Sequence, residues 1–158
     1  MCGRIEIAGS LRRQRQLVGD IELVAVPKPI LNLLGEPSPQ TEVDVLLASW
    51  PVTLYKNGAK YKQFLLKSTR GTAYQVDLFL PDPACWSVIY MIRTGSSEFS
   101  RRMVTARSMG GYRPDHLRVA DGRVWDGQKA LNLPEERDLF ALWGMDYVEP
   151  DSREIAIA

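Results

Sequence analysis

The sequence predicts an α+β fold, and three observations carry that reading. Short runs with an apolar period of two fall in the first half of the chain: Arg4-Ile5-Glu6-Ile7-Ala8, residues 21–26 and residues 73–80. Helix starts and stops gather in the second half, after residue 84. The order is strand, strand, helix, three strands, then mostly helix, which segregates the two element types. The expected architecture is a mixed sheet with helices over residues 1–88, then a small, mostly helical lobe over residues 89–158.

Taken in order, residues 4–9 read as a strand and residues 19–26 as a second, closed by Pro27 and Pro29. Gly9-Ser10 makes the turn between them. Residues 30–40 hold Pro37 and Pro39 and read as a loop with one helical turn at 30–34. Thr41 caps a helix to Trp50; Glu42 opposes its dipole and Pro51 ends it. Residues 52–66 form a hairpin about Asn57-Gly58, the favoured type I′ pair. Residues 73–80 follow as a strand with Asp77 on the face opposite Val76 and Leu78. Pro81 and Pro83 end it. Residues 84–92 read as a helix that Thr94-Gly95-Ser96 breaks. Ser96 or Ser97 caps the next helix, which runs to about Ser108 and stops at Gly110-Gly111. Residues 116–119 and 123–125 pair across Asp121-Gly122. Residues 135–143 form the last helix, stopped by Gly144, and Pro150 onward reads as a tail.

At 158 residues and 45% hydrophobic content, the chain suits one domain or two lobes sharing a core. Cys2 and Cys85 show neither ligand spacing nor a disulfide framework, so a reducing compartment is expected. No apolar run approaches about 18 residues and no signal-peptide pattern opens the chain, so a cytoplasmic protein is expected. The net charge of +1 hides segregation. Residues 52–71 hold five cations and no acid, residues 91–125 seven arginines against three acids, and residues 135–154 seven acids against two arginines. Such a distribution presents a basic face to a polyanion, or simply a solvated surface.

The chemistry concentrates between Gly9 and Glu22. Asp20 and Glu22 stand two apart on a strand and share a face. Like charges held together are costly without a cation between them, and a divalent metal supplies one. The alternative is that both face solvent and pair with Arg12, Arg13 or Arg15. Asp77, a carboxylate in a strongly apolar strand, adds a third ligand if its strand neighbours theirs. Mg²⁺ prefers a few carboxylate oxygens and leaves its other positions to water and phosphates. Gly9, Ser10, Arg12, Arg13 and Gly19 then form a phosphate cradle, or a Gly-Ser turn followed by a surface basic run. In residues 92–102, the break at Thr94-Gly95 exposes backbone, and Ser97, Ser100 and Arg101 share one helical face. That face lines a groove, or is a capped helix with a solvated basic side. His116, beside Asp115, is a surface residue. The four tryptophans are core or lobe-packing residues.

Gly9-Ser10-x-Arg12-Arg13 followed by Gly19-Asp20-x-Glu22 resembles the nucleotidyltransferase signature of the DNA polymerase beta superfamily. Gln75-Val76-Asp77-Leu78-Phe79, Arg93-Thr94-Gly95-Ser96-Ser97-Glu98-Phe99-Ser100 and the stretch from Leu139 to Pro150 are similar to further motifs of the family-X DNA polymerases, in the same order. The resemblance runs from about residue 4 to residue 154. It implies a catalytic palm over 1–88 and a thumb over 89–158. It implies transfer of a nucleotide from a deoxynucleoside triphosphate to the 3′-hydroxyl of gapped or primed DNA, in gap filling or repair. Two Mg²⁺ ions, or Mn²⁺, would be held by Asp20, Glu22 and Asp77. Gly9, Ser10, Arg13 and Gly19 would hold the triphosphate. Ile92, Arg93 and Gly95 would lie by the sugar, Ser97 and Ser100 by the base, and Arg101 and Arg102 on the DNA. A monomer is expected.

The chain departs from the family pattern at six positions. Glu22 stands where an aspartate is usual, which implies slow rather than absent chemistry. Gln14 replaces a glycine, Ile92-Arg93 an aromatic pair, and Ser100 an asparagine; Gln75 stands where some members carry arginine. The chain opens directly on the first strand, so neither lyase chemistry nor a helix-hairpin-helix anchor is expected, and DNA binding should be salt-sensitive. Two other readings remain open: transfer to RNA, protein or a small molecule, and a non-catalytic nucleic-acid-binding remnant.

Overall fold

The structure, a computed structural model, describes residues 3–154; Cys2 and both ends of the chain lie outside them. The first two strands, β1 (Arg4–Ile7) and β2 (Ile21–Val26), are antiparallel, with Ile7 opposite Leu23. A single-turn helix, α1 (Gly9–Arg12), fills the space between them where only a turn was expected. Asp20 precedes β2 and sits in the turn, not on the strand that the DxE spacing suggested.

Residues 29–41 form a hairpin, β3 (Pro29–Leu31) with β4 (Pro37–Thr41), in place of the expected loop. Asn32 supplies the reason. Its side-chain oxygen accepts from the N–H groups of Leu34 and Glu36, each at 2.9 Å, closing an Asx turn that folds the chain back. As expected, α2 (Glu42–Ser49) starts from Thr41, which exchanges hydrogen bonds with Asp44 in a capping box.

Three strands follow: β5 (Val52–Asn57), β6 (Tyr61–Lys67) and β7 (Ala73–Phe79). The β5–β6 turn centres on Ala59-Lys60 rather than Asn57-Gly58, because Gly58 N–H donates to Tyr61 C=O at 2.9 Å. A register shift between Leu54 and Lys56 moves the turn, and the Asn57 side chain instead accepts from the buried Lys62 ammonium at 2.6 Å. The sheet order is β1-β2-β7-β6-β5, with β2 and β7 parallel and every other pair antiparallel. One face packs under α2, where Val43 and Leu47 meet Phe64, Val76 and Leu78. Glu22, Tyr61, Gln63, Asp77 and Phe79 share the other face by register, so Asp77 lies opposite Val76 and Leu78 as alternation predicts. A helix, α3 (Trp86–Thr94), covers the β2 end of that second face through Val24, Trp86 and Tyr90.

The C-terminal residues build a second core. Met91 of α3, Phe99 and Met103 of α4 (Ser97–Val104), and Leu139 and Phe140 of α5 (Glu136–Leu142) are all 0% exposed. A three-stranded sheet closes it: β8 (Leu117–Ala120), β9 (Arg123–Asp126) and β10 (Lys129–Ala130), one strand more than the expected hairpin. Asp121 (φ 53°) and Gly122 (φ 74°) supply the paired left-handed residues of its turn. Ser96 caps α4, accepting from Phe99 N–H at 3.2 Å. That helix ends at Val104, short of Ser108, because the chain folds back tightly: a Cβ on Gly111 would meet the Thr105 carbonyl oxygen at 2.1 Å. Residues 150–154 are no tail, since Pro150–Ser152 is a 3-10 turn and Arg153 is fully buried. Trp86 and Trp143 are core residues, but Trp50 is 45% exposed at the end of α2. His116 is exposed.

Candidate active site

The parallel β2–β7 pair sets Glu22 directly opposite Asp77, and Asp20 in the preceding turn hydrogen-bonds the Asp77 carboxyl. Burial raises the Asp20 carboxyl above its ordinary value, and the contact with Asp77 adds to the rise. Burial also raises Glu22, then the Asp20 charge; the Arg93 guanidinium opposes both. Asp77 goes the other way: burial would raise it, but donation from Tyr61 and then Gln63 holds it below the usual range. The two carboxyls are thus pushed in opposite directions, Asp20 up and Asp77 down, as two interacting acids are. As they stand, these groups form a close pair with a third carboxylate beside it. Among the described residues no cluster of three or more His, Cys, Asp or Glu side chains is near enough to hold a metal ion.

Sequence reading missed the residues that surround Asp77. Tyr61 Oη donates to Asp77 Oδ1 at 2.6 Å and Gln63 Nε2 to the same oxygen at 2.9 Å. Burial and then the Asp77 contact push the Tyr61 phenol up to about 12, so it remains a donor. The Tyr61 ring stacks on Phe79, centroids 5.0 Å apart and planes 22° from parallel. The Arg93 guanidinium lies over the Phe79 ring of this pair, 3.9 Å from its centroid. The signal available in the sequence was alternation alone: positions 61 and 63 have the parity that reaches Asp77 once the register of β6 and β7 is known.

Gly9 adopts φ +60°, and a Cβ there would fall 1.8 Å from Glu22 Oε2, so the longer carboxylate occupies the space a side chain would fill. Ser10 is half-buried beside it, and Gly19 is exposed with open space around it. The two arginines of this segment turn away from the carboxylates to the C-terminal residues. Arg12 makes two hydrogen bonds to Glu136, at 3.2 and 2.9 Å, and one to Thr94 Oγ1 at 2.6 Å. Arg13 donates to Glu154 Oε1 and to the Thr94 carbonyl, both at 2.7 Å. Glu136 also accepts from the fully buried Arg153 at 2.5 Å and from Tyr147 Oη at 2.8 Å.

Two cavities open on the carboxylates, divided by Arg93. One, about 660 Å³, is bounded by Tyr61, Asp77, Phe79 and the Asp121-Gly122 turn. The other, about 420 Å³, is lined by Glu22, Ile92, Gly95, Ser97, Ser100 and Arg101. The expected helix face is therefore assembled at the site. Gly95 is required there, because a Cβ would meet Ser100 Oγ at 2.6 Å. Ser100 Oγ donates to the Ile92 carbonyl at 2.8 Å, which fixes the turn and commits that hydroxyl. Arg101 and Arg102 both pair with Glu98 on the outer side of α4.

Residues 89–154 match the family model described as the DNA polymerase beta thumb. The C-terminal part of the chain is thus similar to the thumb of DNA polymerase beta. No curated protein matches the chain. Among the described residues no helix is long and apolar enough to cross a membrane.

Proposed function

We propose that the protein is a template-directed DNA polymerase of family X, with residues 1–88 acting as palm and 89–158 as thumb. It would add a nucleotide to the 3′-hydroxyl of gapped or primed DNA and release pyrophosphate, in gap filling or repair. The observation that carries this reading is the β2–β7 register: Glu22 faces Asp77, with Asp20 against it, at the mouth of a cavity lined by thumb residues.

The chemistry of the donor set, oxygen ligands only, suits a hard divalent cation, which would have to draw Asp20, Glu22 and Asp77 closer together than they stand; burial raises Asp20 and Glu22, and a neighbouring carboxylate adds to each rise. Asp20 and Glu22 would hold two Mg²⁺ ions, or Mn²⁺, and Asp77 the one beside the primer end. Bound there, the ions would neutralise charge on the transferring phosphoryl group. The chain itself supplies position. Asp77 orients the primer hydroxyl. The Gly9 backbone and the Ser10 hydroxyl face the triphosphate. Arg13 reaches a phosphate only by exchanging Glu154 for it. The Ile92–Gly95 turn shapes the sugar end of the cavity, Ser97 and Ser100 the base end, and Arg101 and Arg102 meet DNA at its rim. The monomer holds every one of these groups.

Primer extension on a one-nucleotide gap with Mg²⁺ is the test. The wild type should insert the templated nucleotide, and Asp77→Ala should lower the rate at least ~10³-fold, a loss of about 4 kcal/mol of transition-state stabilisation. An inert wild type, or an Asp77→Ala protein as fast as wild type, would end the reading. Labelled-nucleotide transfer to RNA, protein and small-molecule acceptors separates the polymerase from other transferases.

A further inference from the structure

Asp77 is held in a way that no carboxylate elsewhere on this face is. Two donors from one strand, Tyr61 Oη at 2.6 Å and Gln63 Nε2 at 2.9 Å, converge on the same oxygen, Oδ1. A carboxylate oxygen with two short donors has no lone pair left to give, so what Asp77 can offer a cation lies on Oδ2, beside the contacts that Asp20 and Gln75 also make with this carboxyl. The donors are themselves immobilised. Residues 61 and 63 face 79 and 77 across the antiparallel β6–β7 ladder, which fixes their height above the sheet. The Tyr61 ring is stacked on Phe79 at 5.0 Å, and the Lys56 ammonium lies 5.4 Å over the same ring. The hydroxyl therefore points at Asp77 by ring packing rather than by rotamer chance.

We propose that Tyr61 and Gln63 are the positioning residues of the catalytic centre: together they lock Oδ1 of Asp77 and present Oδ2 to a divalent cation. This rests on the carboxylates' being a cation site, as the proposed function requires. The shared stack gives the arrangement a second consequence. Phe79 packs against both the Tyr61 ring and the Arg93 guanidinium, the latter 3.9 Å from its centroid. One aromatic pair thus sets the positions of a donor to Asp77 and of the cation that faces Glu22. Hydrogen-bonding partners of metal ligands orient the ligand, and their removal typically weakens metal binding about 10- to 100-fold.

Tyr61→Phe keeps the ring and its stack and deletes only the donor; Gln63→Met keeps the length and deletes the amide. Tyr55→Phe, an exposed tyrosine on the neighbouring strand, is the control. Mn²⁺ binding by the full chain without nucleotide or DNA, followed by the paramagnetic resonance of free ion, should weaken about 10-fold in each of the first two variants. It should remain unchanged in the control. On gapped DNA, kcat should fall by a similar factor while the KM for nucleotide stays within about two-fold. A merely structural role would lower the melting temperature and leave Mn²⁺ affinity alone, which overturns the proposal, as does wild-type affinity in both variants. A wild-type protein that does not bind Mn²⁺ overturns the proposal and the cation site together. Mn²⁺ binding that Tyr61→Phe weakens, in a protein that extends no primer, upholds the positioning role and removes the polymerase.

Discussion

Two charge clusters sit within the same small protein and are built on opposite terms. At the joint between the sheet and the C-terminal core, Arg12 and the buried Arg153 flank Glu136, and Arg13 meets Glu154. Every carboxylate there has a guanidinium. Burial would raise the Glu136 carboxyl, but Arg153 and then Arg12 hold it below its ordinary value. At the carboxylate-bearing sheet face, burial raises Asp20 and Glu22; Arg93 and, more weakly, Arg13 oppose the rise of Glu22. A compensated cluster is a structural weld. An uncompensated one is destabilising in the free protein and persists where a ligand brings the missing charge.

The largest expected effect breaks the weld. Glu136→Ala strands the buried Arg153, with Arg12 beside it, and should destabilise by about 3–5 kcal/mol. For a chain of this size that is a drop of roughly 10 °C or more in melting temperature, read by calorimetry. A drop under about 3 °C would mean the two halves are held by apolar packing alone.

Gly9→Ala comes next. The new Cβ would overlap Glu22 Oε2, and the φ of +60° disfavours any side chain, so a loss of about 1–3 kcal/mol is expected. Gly9→Ala combined with Glu22→Asp should recover much of it, because the shorter carboxylate vacates the space. Recovery would also explain why this chain tolerates glutamate at position 22: the missing Cβ of Gly9 is where the extra methylene's carboxylate goes.

Substitution on the uncompensated face should have the reverse sign. Asp20→Asn with Glu22→Gln should abolish activity yet stabilise the protein by about 0.5–2 kcal/mol at pH 7. The pH dependence separates the two clusters. Asp20 and Glu22 have raised folded pKa values, so their contribution to stability is full below the unfolded values of 3.8 and 4.5 and is lost as pH rises through the folded ones. Glu136 has a lowered folded pKa, so its contribution is present above 4.5 and is lost as pH falls through the folded value. The stability advantage of the double variant should therefore shrink as pH falls from 7 towards 4.5, and below that both proteins should lose stability together. An advantage independent of pH would dissolve the distinction between the clusters.

Much of this contrast was legible in the sequence, but not which arginine serves which cluster. Alternation located Asp77 on the correct face, and Thr41, Ser96 and Asp121-Gly122 announced their caps and turn, because each is a local pattern. The carboxylate partners of Arg12 and Arg13 are more than 120 residues away and follow no local rule. Tyr61 and Gln63 carry no catalytic signature, and their reach to Asp77 depends on the long-range register of β6 against β7. The β3–β4 hairpin was hidden by prolines that a two-stranded edge tolerates and a central strand does not.

The smallest expected effect lies where the two clusters touch. Arg13 belongs to the segment proposed to face the triphosphate, yet its guanidinium is bonded to Glu154, with Arg15 3.5 Å from the same oxygen. Arg13 is 13% exposed and Glu154 27%, so the pair is partly screened and worth about 0.2–1 kcal/mol. An incoming phosphate that takes Arg13 must displace that carboxylate and forgo its contribution. Glu154→Gln should then tighten nucleotide binding by up to about five-fold, the same energy expressed as affinity, in a titration with Mg²⁺ present. Arg13→Ala should weaken binding in the wild-type background and erase the Glu154→Gln gain. Equal nucleotide affinity in all of these proteins would assign Arg13 wholly to the weld and leave the triphosphate to the backbone of Gly9, the Ser10 hydroxyl and the cations.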